Sequence, residues 1–94
     1  MPEEVRRTAG LLERRWTISI LYASIEGAER FNEFVDALGR VPPATLTVRL
    51  TELVEAGVLE RHVLDTRPPS VEYRLTLVGR RLEPVLRELA RFSL

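Results

Sequence analysis

All fourteen basic residues of this 94-residue chain are arginines, and the chain contains no cysteine. A guanidinium group presents its donors in a planar fork, which suits bidentate contacts with a phosphate or with the edge of guanine. Fourteen acidic residues bring the formal net charge to zero, which argues against an indiscriminate binder of polyanions and still permits a local basic face. A compositional bias of the source genome explains the large number of arginines more simply than a DNA-binding role does. Candidate contacts with DNA are therefore identified by the positions of the arginines and not by their number.

Catalytic and metal-binding chemistry has little support in the sequence. The lack of cysteine excludes disulfides, thiolate metal sites and thiol redox sensing. The single histidine, His62, cannot form a metal site alone, and no nucleophile with its base, glycine-rich phosphate loop or paired carboxylates occurs in a recognisable motif. We therefore predict no catalytic residue, no metal ligand and no cofactor, and a protein that is not an enzyme.

The length and the apolar content limit the architecture. A chain of 94 residues with 45% hydrophobic content can form one domain with a modest core and is too short for two. It has no apolar run of the roughly 18 residues that a spanning helix needs, and its N-terminus lacks the apolar core of a signal peptide. We expect a single soluble domain over residues 1–94, located in the cytoplasm and not bound to a membrane.

Two helical patterns meet across a tight turn in the middle of the chain. Apolar residues at helical spacing predict a short helix over residues 31–38, with Asn32 as its N-cap. A second apolar stripe predicts a helix over residues 43–56, with Pro43 in its first turn. Residues 31–56 therefore have the pattern of a helix-turn-helix, in which the second helix buries one face and exposes the other.

Two strand patterns follow this unit and flank a turn that contains two prolines. Alternating apolar and polar residues predict a strand on each side of residues 65–70, so residues 58–75 form a β-hairpin, or wing. Arg67 lies at the tip of this hairpin. Pro68 and Pro69 are too few for a polyproline ligand, and their fixed φ angles instead restrict the loop that carries Arg67.

Amphipathic helices are predicted at both ends of the chain, over residues 3–12 and 77–93. Pro84 lies inside the second pattern, which predicts a kink or a restart near Arg80. The segment WTISILYASI, residues 16–25, alternates as a strand would and also recurs as a helix would, so its pattern alone leaves both structures open. The whole predicts an α+β fold, mainly α-helical, with a two-stranded wing.

The order of these motifs resembles the HxlR-type branch of the winged helix-turn-helix transcriptional regulators. The resemblance covers nearly the whole chain and rests on matching residues in order, namely Arg15-Trp16-Thr17, Arg30-Phe31-Asn32-Glu33, Leu46-Thr47, Arg49-Leu50, Leu53, Gly57, Pro68-Pro69, Val71-Glu72-Tyr73, Leu75-Thr76, Gly79, Leu82 and Pro84. It implies that residues 16–25 form a helix. It also implies a sequence-specific regulator that binds double-stranded DNA as a homodimer paired through its N- and C-terminal helices. The helix over residues 43–56 would enter the major groove, and the wing would lie on the flanking backbone or in the minor groove.

The chain departs from the pattern of this family at positions that bear on function. Many members carry a cysteine near the N-terminus, where this chain has Glu3, and sense oxidants or electrophiles with it. An effector would therefore have to act without cysteine chemistry, for example as a small molecule lodged between the terminal helices and the helix that contains Trp16. A serine usually precedes the recognition helix, where this chain has Pro42, and polar residues are common where it has Ala44 and Val48.

The candidate DNA contacts lie on the second helix and on the segments that flank it. Thr45, Thr47 and Val48 are predicted to contact base edges, thymine methyl groups included, and Arg49 to reach a phosphate or a guanine. A plain solvated face is the alternative for this helix. The predicted contacts are completed by residues at the start of the helix, on either side of the two-helix unit and at the wing tip, namely Pro43, Ala44, Arg30, Arg40 and Arg67.

A second function remains open from the sequence alone. The face predicted to meet DNA is unusually apolar, and Ala44, Val48 and Val41 could instead bind another protein. The zero net charge and the missing polar side chains on this helix support that alternative. The sequence thus leaves a DNA-binding regulator and a protein-binding module to be distinguished.

Overall fold

The computed structural model describes residues 1–94, the whole chain. Its elements in chain order are α1 (Glu3–Leu12), α2 (Thr17–Ile25), α3 (Phe31–Leu38), α4 (Pro43–Glu55), β1 (Leu59–Leu64), β2 (Ser70–Leu75), α5 (Leu77–Arg80) and α6 (Glu83–Phe92). The two strands form one antiparallel sheet. The predicted class, α+β with mostly helical content and a two-stranded wing, is confirmed. No helix of the structure has the length and apolar character needed to cross a membrane.

The segment whose pattern was ambiguous is the central helix, α2. Ile20 and Leu21 are completely buried, and Thr17 is nearly so, since these residues recur at the spacing of a helical face. Strand-like alternation appears in the sequence because α2 is apolar on most of its surface, as expected for a helix packed on several sides. The helix implied by the family resemblance is therefore the one observed.

The first helix of the helix-turn-helix, α3, spans the predicted residues, but its N-cap is not the predicted residue. Its N-cap is Arg30, so the prediction of Asn32 as N-cap is wrong. The cap comes instead from Glu33, whose carboxylate accepts hydrogen bonds from the backbone N–H groups of Glu29 and Arg30, each at 2.9 Å. These two bonds lower the pKa of Glu33 below its ordinary value. A carboxylate in the first turn satisfies free donors and complements the helix dipole, which an asparagine inside the helix could not do.

The second helix, α4, is anchored by an apolar stripe on its inner side. Leu46, Leu50 and Leu53 are completely buried. Removing a leucine side chain from water contributes about 2 kcal/mol, so this stripe holds the helix firmly against the core. The helix begins at Pro43 and ends before Gly57, which has a φ of 76° that glycine tolerates.

The wing is a hairpin whose register runs from Leu59 opposite Leu75 to Leu64 opposite Ser70. A third extended segment joins it, because the backbone N–H of Tyr73 donates to the carbonyl of Glu29 at 2.7 Å and Arg30 forms a bridge with Glu72. This pairing was not predicted from the sequence. It attaches β2 to the residues that start α3.

The last helical segment is divided near Pro84, as predicted. The short helix α5 ends at Arg80 and α6 begins at Glu83. The hydroxyl of Thr76, the N-cap of α5, accepts a hydrogen bond from the backbone N–H of Gly79 at 2.9 Å. Gly79 packs so closely that a Cβ atom there would collide with the carbonyl oxygen of Val58.

The terminal helices expose much of their apolar surface. Helix α1 has no buried residue, and Val5 on it is exposed. On α6, Val85, Leu89 and Phe92 are all exposed at helical spacing, and Phe92 keeps 88% of its surface open. Only Leu86 of α6 is fully within the core. The two terminal helices, α1 and α6, thus carry an apolar stripe that does not pack against the core of the chain.

Candidate nucleic-acid interface

The outer face of α4 is an open surface built from small side chains. Pro43, Ala44, Thr47 and Val48 are exposed, and Thr45 is half-buried. Val48 keeps 49% of its surface open at the centre of this group. Positions three and four residues apart share a helical face, so Ala44, Thr47 and Val48 form one continuous surface. We call the surface of Ala44, Thr47 and Val48 the outer face of α4.

Arginine 49 is not part of this open surface. Its Nε atom donates to the carbonyl oxygen of Arg15 at 2.8 Å, and a terminal nitrogen donates to Oε1 of Glu52 at 3.2 Å. Only 14% of its side chain is exposed. The sequence predicted that this guanidinium would be free to reach a phosphate or a guanine, whereas protein acceptors already occupy it.

The contacts of Arg49 belong to a small charged network that joins α4 to the turn after α1. The other carboxylate oxygen of Glu52 lies 3.0 Å from a guanidinium nitrogen of Arg14. Arg14 thus pairs with α4, and the guanidinium of Arg15 stacks over the ring of Trp16 at 5.0 Å from its centroid. This network, the α4 clasp, consists of Arg14, Arg15, Arg49 and Glu52.

Arginine 30 lies where α3 meets the wing. Its Nε atom is 3.6 Å from Glu72, and more than half of its side chain remains exposed. Glu72 is held more tightly by Arg74, at 2.7 and 3.1 Å. The hydrogen bonds from Arg74, with a smaller contribution from the charge of Arg30, lower the pKa of Glu72 below its ordinary value. Arg30 is thus a weakly paired cation that can still turn towards solvent.

Arginines 40 and 67 have no acidic partner within salt-bridge distance, and both are exposed. Arg40 lies in the turn between α3 and α4. Arg67 lies in the loop between β1 and β2, where the hydroxyl of Thr66 donates to the carbonyl of Pro68 at 2.8 Å and steadies the chain. Both positions leave a guanidinium free beside the helix-turn-helix or at the end of the wing.

Two further findings revise the predicted site. Val41, which the sequence offered as part of an apolar protein-binding face, is buried in the core. Glu52 and Arg15, which complete the α4 clasp, were not predicted as functional positions. The signal for Arg15 is weak in the sequence, since its contribution is a backbone carbonyl that becomes accessible only because α1 ends at Leu12.

A groove of about 730 Å³ lies between α2, α3 and α6. Its wall is mainly apolar, with Tyr22 and Glu26 at its polar side and Leu38 and Leu89 among its apolar residues. Arg87 forms a 2.9 Å ion pair with Glu26 and, chiefly through that hydrogen bond, lowers the pKa of the Glu26 carboxyl. The effector suggested from the sequence would lie in this region, between α2 and a terminal helix.

A helix-turn-helix followed by a hairpin, with the second helix exposing one face, defines a winged helix-turn-helix protein. Residues 11–93 match the model of the HxlR-like helix-turn-helix family. The chain belongs to this family, so the resemblance found in the sequence is confirmed.

One curated relative is the uncharacterized HTH-type transcriptional regulator YdeP of Bacillus subtilis (strain 168). It is 42% identical to this chain over 82 residues, which are 87% of this chain and 64% of YdeP. The chain therefore spans slightly less than two thirds of this relative's length. The family and the regulatory names of its members place the chain outside the enzymes, as predicted.

Solved structures agree with this assignment. The redox regulator HypR in its oxidized form superimposes with a TM-score of 0.88 at 34% sequence identity, covering 96% of this chain and 93% of that one. The reduced form of the transcriptional regulator YodB from B. subtilis gives a TM-score of 0.86 at 30% identity, covering 99% and 91%. HypR is named for redox regulation, whereas this chain has no cysteine that could be oxidised.

Proposed function

We propose that this protein is a transcriptional regulator that binds double-stranded DNA in a sequence-specific manner as a homodimer. In this proposal α4 enters the major groove with its outer face towards the bases, and the wing contacts the flanking backbone or the minor groove. The observation that carries it is the placement of α4, which is anchored by a buried leucine stripe and keeps Ala44, Thr47 and Val48 open on the opposite side. The regulatory names of its relatives support the same assignment.

The proposed phosphate contacts are arginines beside the helix-turn-helix and at the wing tip that have a weak acidic partner or none. Arg40 and Arg67 carry guanidinium groups without an acidic partner, and Arg30 is only loosely paired with Glu72. Side chains of this kind position a protein on DNA by contacting phosphates. The sequence predicted that Arg49 contacts DNA. We propose instead that Arg49 holds α4 in place through the α4 clasp.

The proposed homodimer explains the uncovered apolar stripe of the terminal helices. Val5, Val85, Leu89 and Phe92 would otherwise remain exposed on α1 and α6. Exposed apolar patches of this kind commonly mark interfaces, and twofold dimers are the commonest assemblies of soluble proteins. Pairing through α1 and α6 would bury the stripe and present two copies of α4 to successive turns of the major groove.

Fluorescence anisotropy of labelled duplex DNA from beside the gene tests the proposal. Binding should be present at low salt and should weaken steeply as salt increases, because released counterions drive association with phosphates. Sedimentation of the same sample should give the mass of a dimer, and Leu89→Arg should convert it to a monomer with much weaker DNA binding. An intact dimer that binds no duplex at low salt would exclude this function for that DNA.

Protein binding by the outer face of α4 is the weaker candidate. Because Val41 is buried, the apolar surface left for a partner is confined to Ala44, Val48 and the methyl group of Thr47. The cores of protein interfaces are larger and rich in aromatic residues.

The cytoplasmic location and the small-molecule effector in the groove remain predictions that accompany the regulator proposal.

A further inference from the structure

The outer face of α4 carries no side chain that can make a bidentate contact with a base. Guanine is usually recognised by arginine or lysine and adenine by asparagine or glutamine. The face consists instead of Ala44, Thr47 and Val48. Arg49, the one arginine of α4, is bound to the Arg15 carbonyl and to Glu52. Direct recognition from this helix therefore has to use another kind of contact.

The one hydroxyl of the outer face, that of Thr47, is already committed within the protein. The hydroxyl of Thr47 donates to the carbonyl of Pro43 at 3.2 Å, so its proton is used. Pro42 and Pro43 have no backbone N–H to offer a base or a phosphate. The groups that remain at the centre of the face are methyl groups, above all those of Val48, which is 49% exposed.

We infer that α4 distinguishes DNA sequences mainly by contact between Val48 and the C5-methyl group of thymine, with Ala44 and the methyl of Thr47 beside it. The inference rests on the DNA-binding function proposed above and specifies the bases it recognises. Thymine is the only base that presents a methyl group in the major groove, and apolar side chains contact it there. The preferred half-site therefore contains thymine where α4 meets the bases, and Val48 determines the specificity.

Replacement of thymine by deoxyuridine tests this contact, because it removes only the C5-methyl group and keeps base pairing. Duplexes that bind are first selected from a random pool at low salt. Each thymine is then replaced in turn, and affinity is measured by anisotropy. Burial of one methyl group predicts that wild-type affinity falls about fourfold at one or two positions of each half-site.

Two variants identify the residue responsible. Val48→Ala should bind the thymine and deoxyuridine duplexes with nearly equal affinity, whereas Arg67→Ala should bind both more weakly and keep the fourfold ratio. Val48 is exposed, so its truncation should leave the fold intact, which circular dichroism checks.

The outcomes separate this inference from the function it rests on. If no duplex is selected at low salt, both the DNA-binding function and the thymine contact are wrong. If duplexes are selected but no deoxyuridine replacement changes the affinity, only the methyl contact is wrong. If Val48→Ala retains the full thymine preference, another residue reads the methyl group and the assignment to Val48 fails.

Discussion

Two arginines predicted to contact DNA have opposite environments. Arg49 lies on α4 with 14% of its side chain exposed and two protein acceptors, the Arg15 carbonyl and Glu52. Arg67 lies in the wing loop, exposed and without an acidic partner. In the function proposed above, both belong to elements that lie against DNA. The difference shows that the element alone does not assign a role to a charged residue, and that the acceptors within reach decide it.

The physical cause of the difference lies in the turn between α1 and α2. Helix α1 ends at Leu12 and α2 begins at Thr17, and Trp16 adopts a left-handed conformation with a φ of 80°. No backbone N–H bonds to the carbonyl of Arg15 in this turn. A carbonyl without a backbone partner needs another donor, and the guanidinium of Arg49 supplies it. In the wing loop, the guanidinium of Arg67 makes no such bond to a carbonyl.

The largest effect should come from breaking the α4 clasp. Arg49→Ala removes a charge-assisted hydrogen bond to a carbonyl and one to Glu52, and should lower the free energy of unfolding by about 1 to 3 kcal/mol. Urea unfolding followed by circular dichroism measures this loss. A stability equal to that of the wild type would mean that Arg49 is not a support of α4 and is free for DNA.

The matched variant at the wing, Arg67→Ala, should leave stability within about 0.5 kcal/mol of the wild type. It should instead weaken DNA binding and reduce the slope of log affinity against log salt by about 1 for each arginine lost. Anisotropy titrations at four or five salt concentrations give this slope. An unchanged slope would show that Arg67 contacts no phosphate.

Replacing the acidic partner should separate the two bonds of Arg49. Glu52→Gln weakens the contacts with Arg14 and Arg49 but leaves the bond to the Arg15 carbonyl, and both Glu52 and Arg14 are partly exposed. The loss of stability should therefore be smaller than for Arg49→Ala, at about 1 kcal/mol or less. If urea unfolding shows equal losses, Glu52 and not the carbonyl is the main partner of Arg49.

The smallest effect concerns pH and the base of the wing. Arg74 and Arg30 lower the pKa of Glu72, so this carboxylate stabilises the folded state at neutral pH, and its contribution is lost as the pH falls below about 4. Glu72→Gln should thus be less stable than the wild type at pH 7, and the difference should shrink at pH 3. A difference that stays constant between these two pH values would contradict the pairing.

The sequence predicted the elements well and their contacts less well. Helical spacing and proline and glycine positions gave the two-helix unit, the wing and the break before α6, because these signals are local. The structure of residues 16–25 could not be settled by pattern, since a helix that is apolar on most sides also satisfies strand alternation. The family resemblance resolved it.

The errors concern groups that meet only after folding. Asn32 has the side chain of an N-cap, yet the N-cap is Arg30, two residues earlier, because Glu33 binds the backbone of Glu29 and Arg30. Val41 was predicted to belong to an apolar protein-binding face, and it is buried. The partner of Arg49 is a backbone carbonyl 34 positions away in the sequence, which no spacing rule identifies.

The pairing of the wing with the start of α3 has a consequence for the DNA that this protein could bind. Tyr73 donates to Glu29, and the same short segment is fixed to α3 by Glu33. These bonds attach the wing to the start of the helix-turn-helix, so the protein itself limits the separation between Arg67 and the outer face of α4. Each base pair advances the duplex by about 3.4 Å. A single base pair inserted between the bases under α4 and the flank under the wing would therefore displace either the contact of α4 or the contact of Arg67.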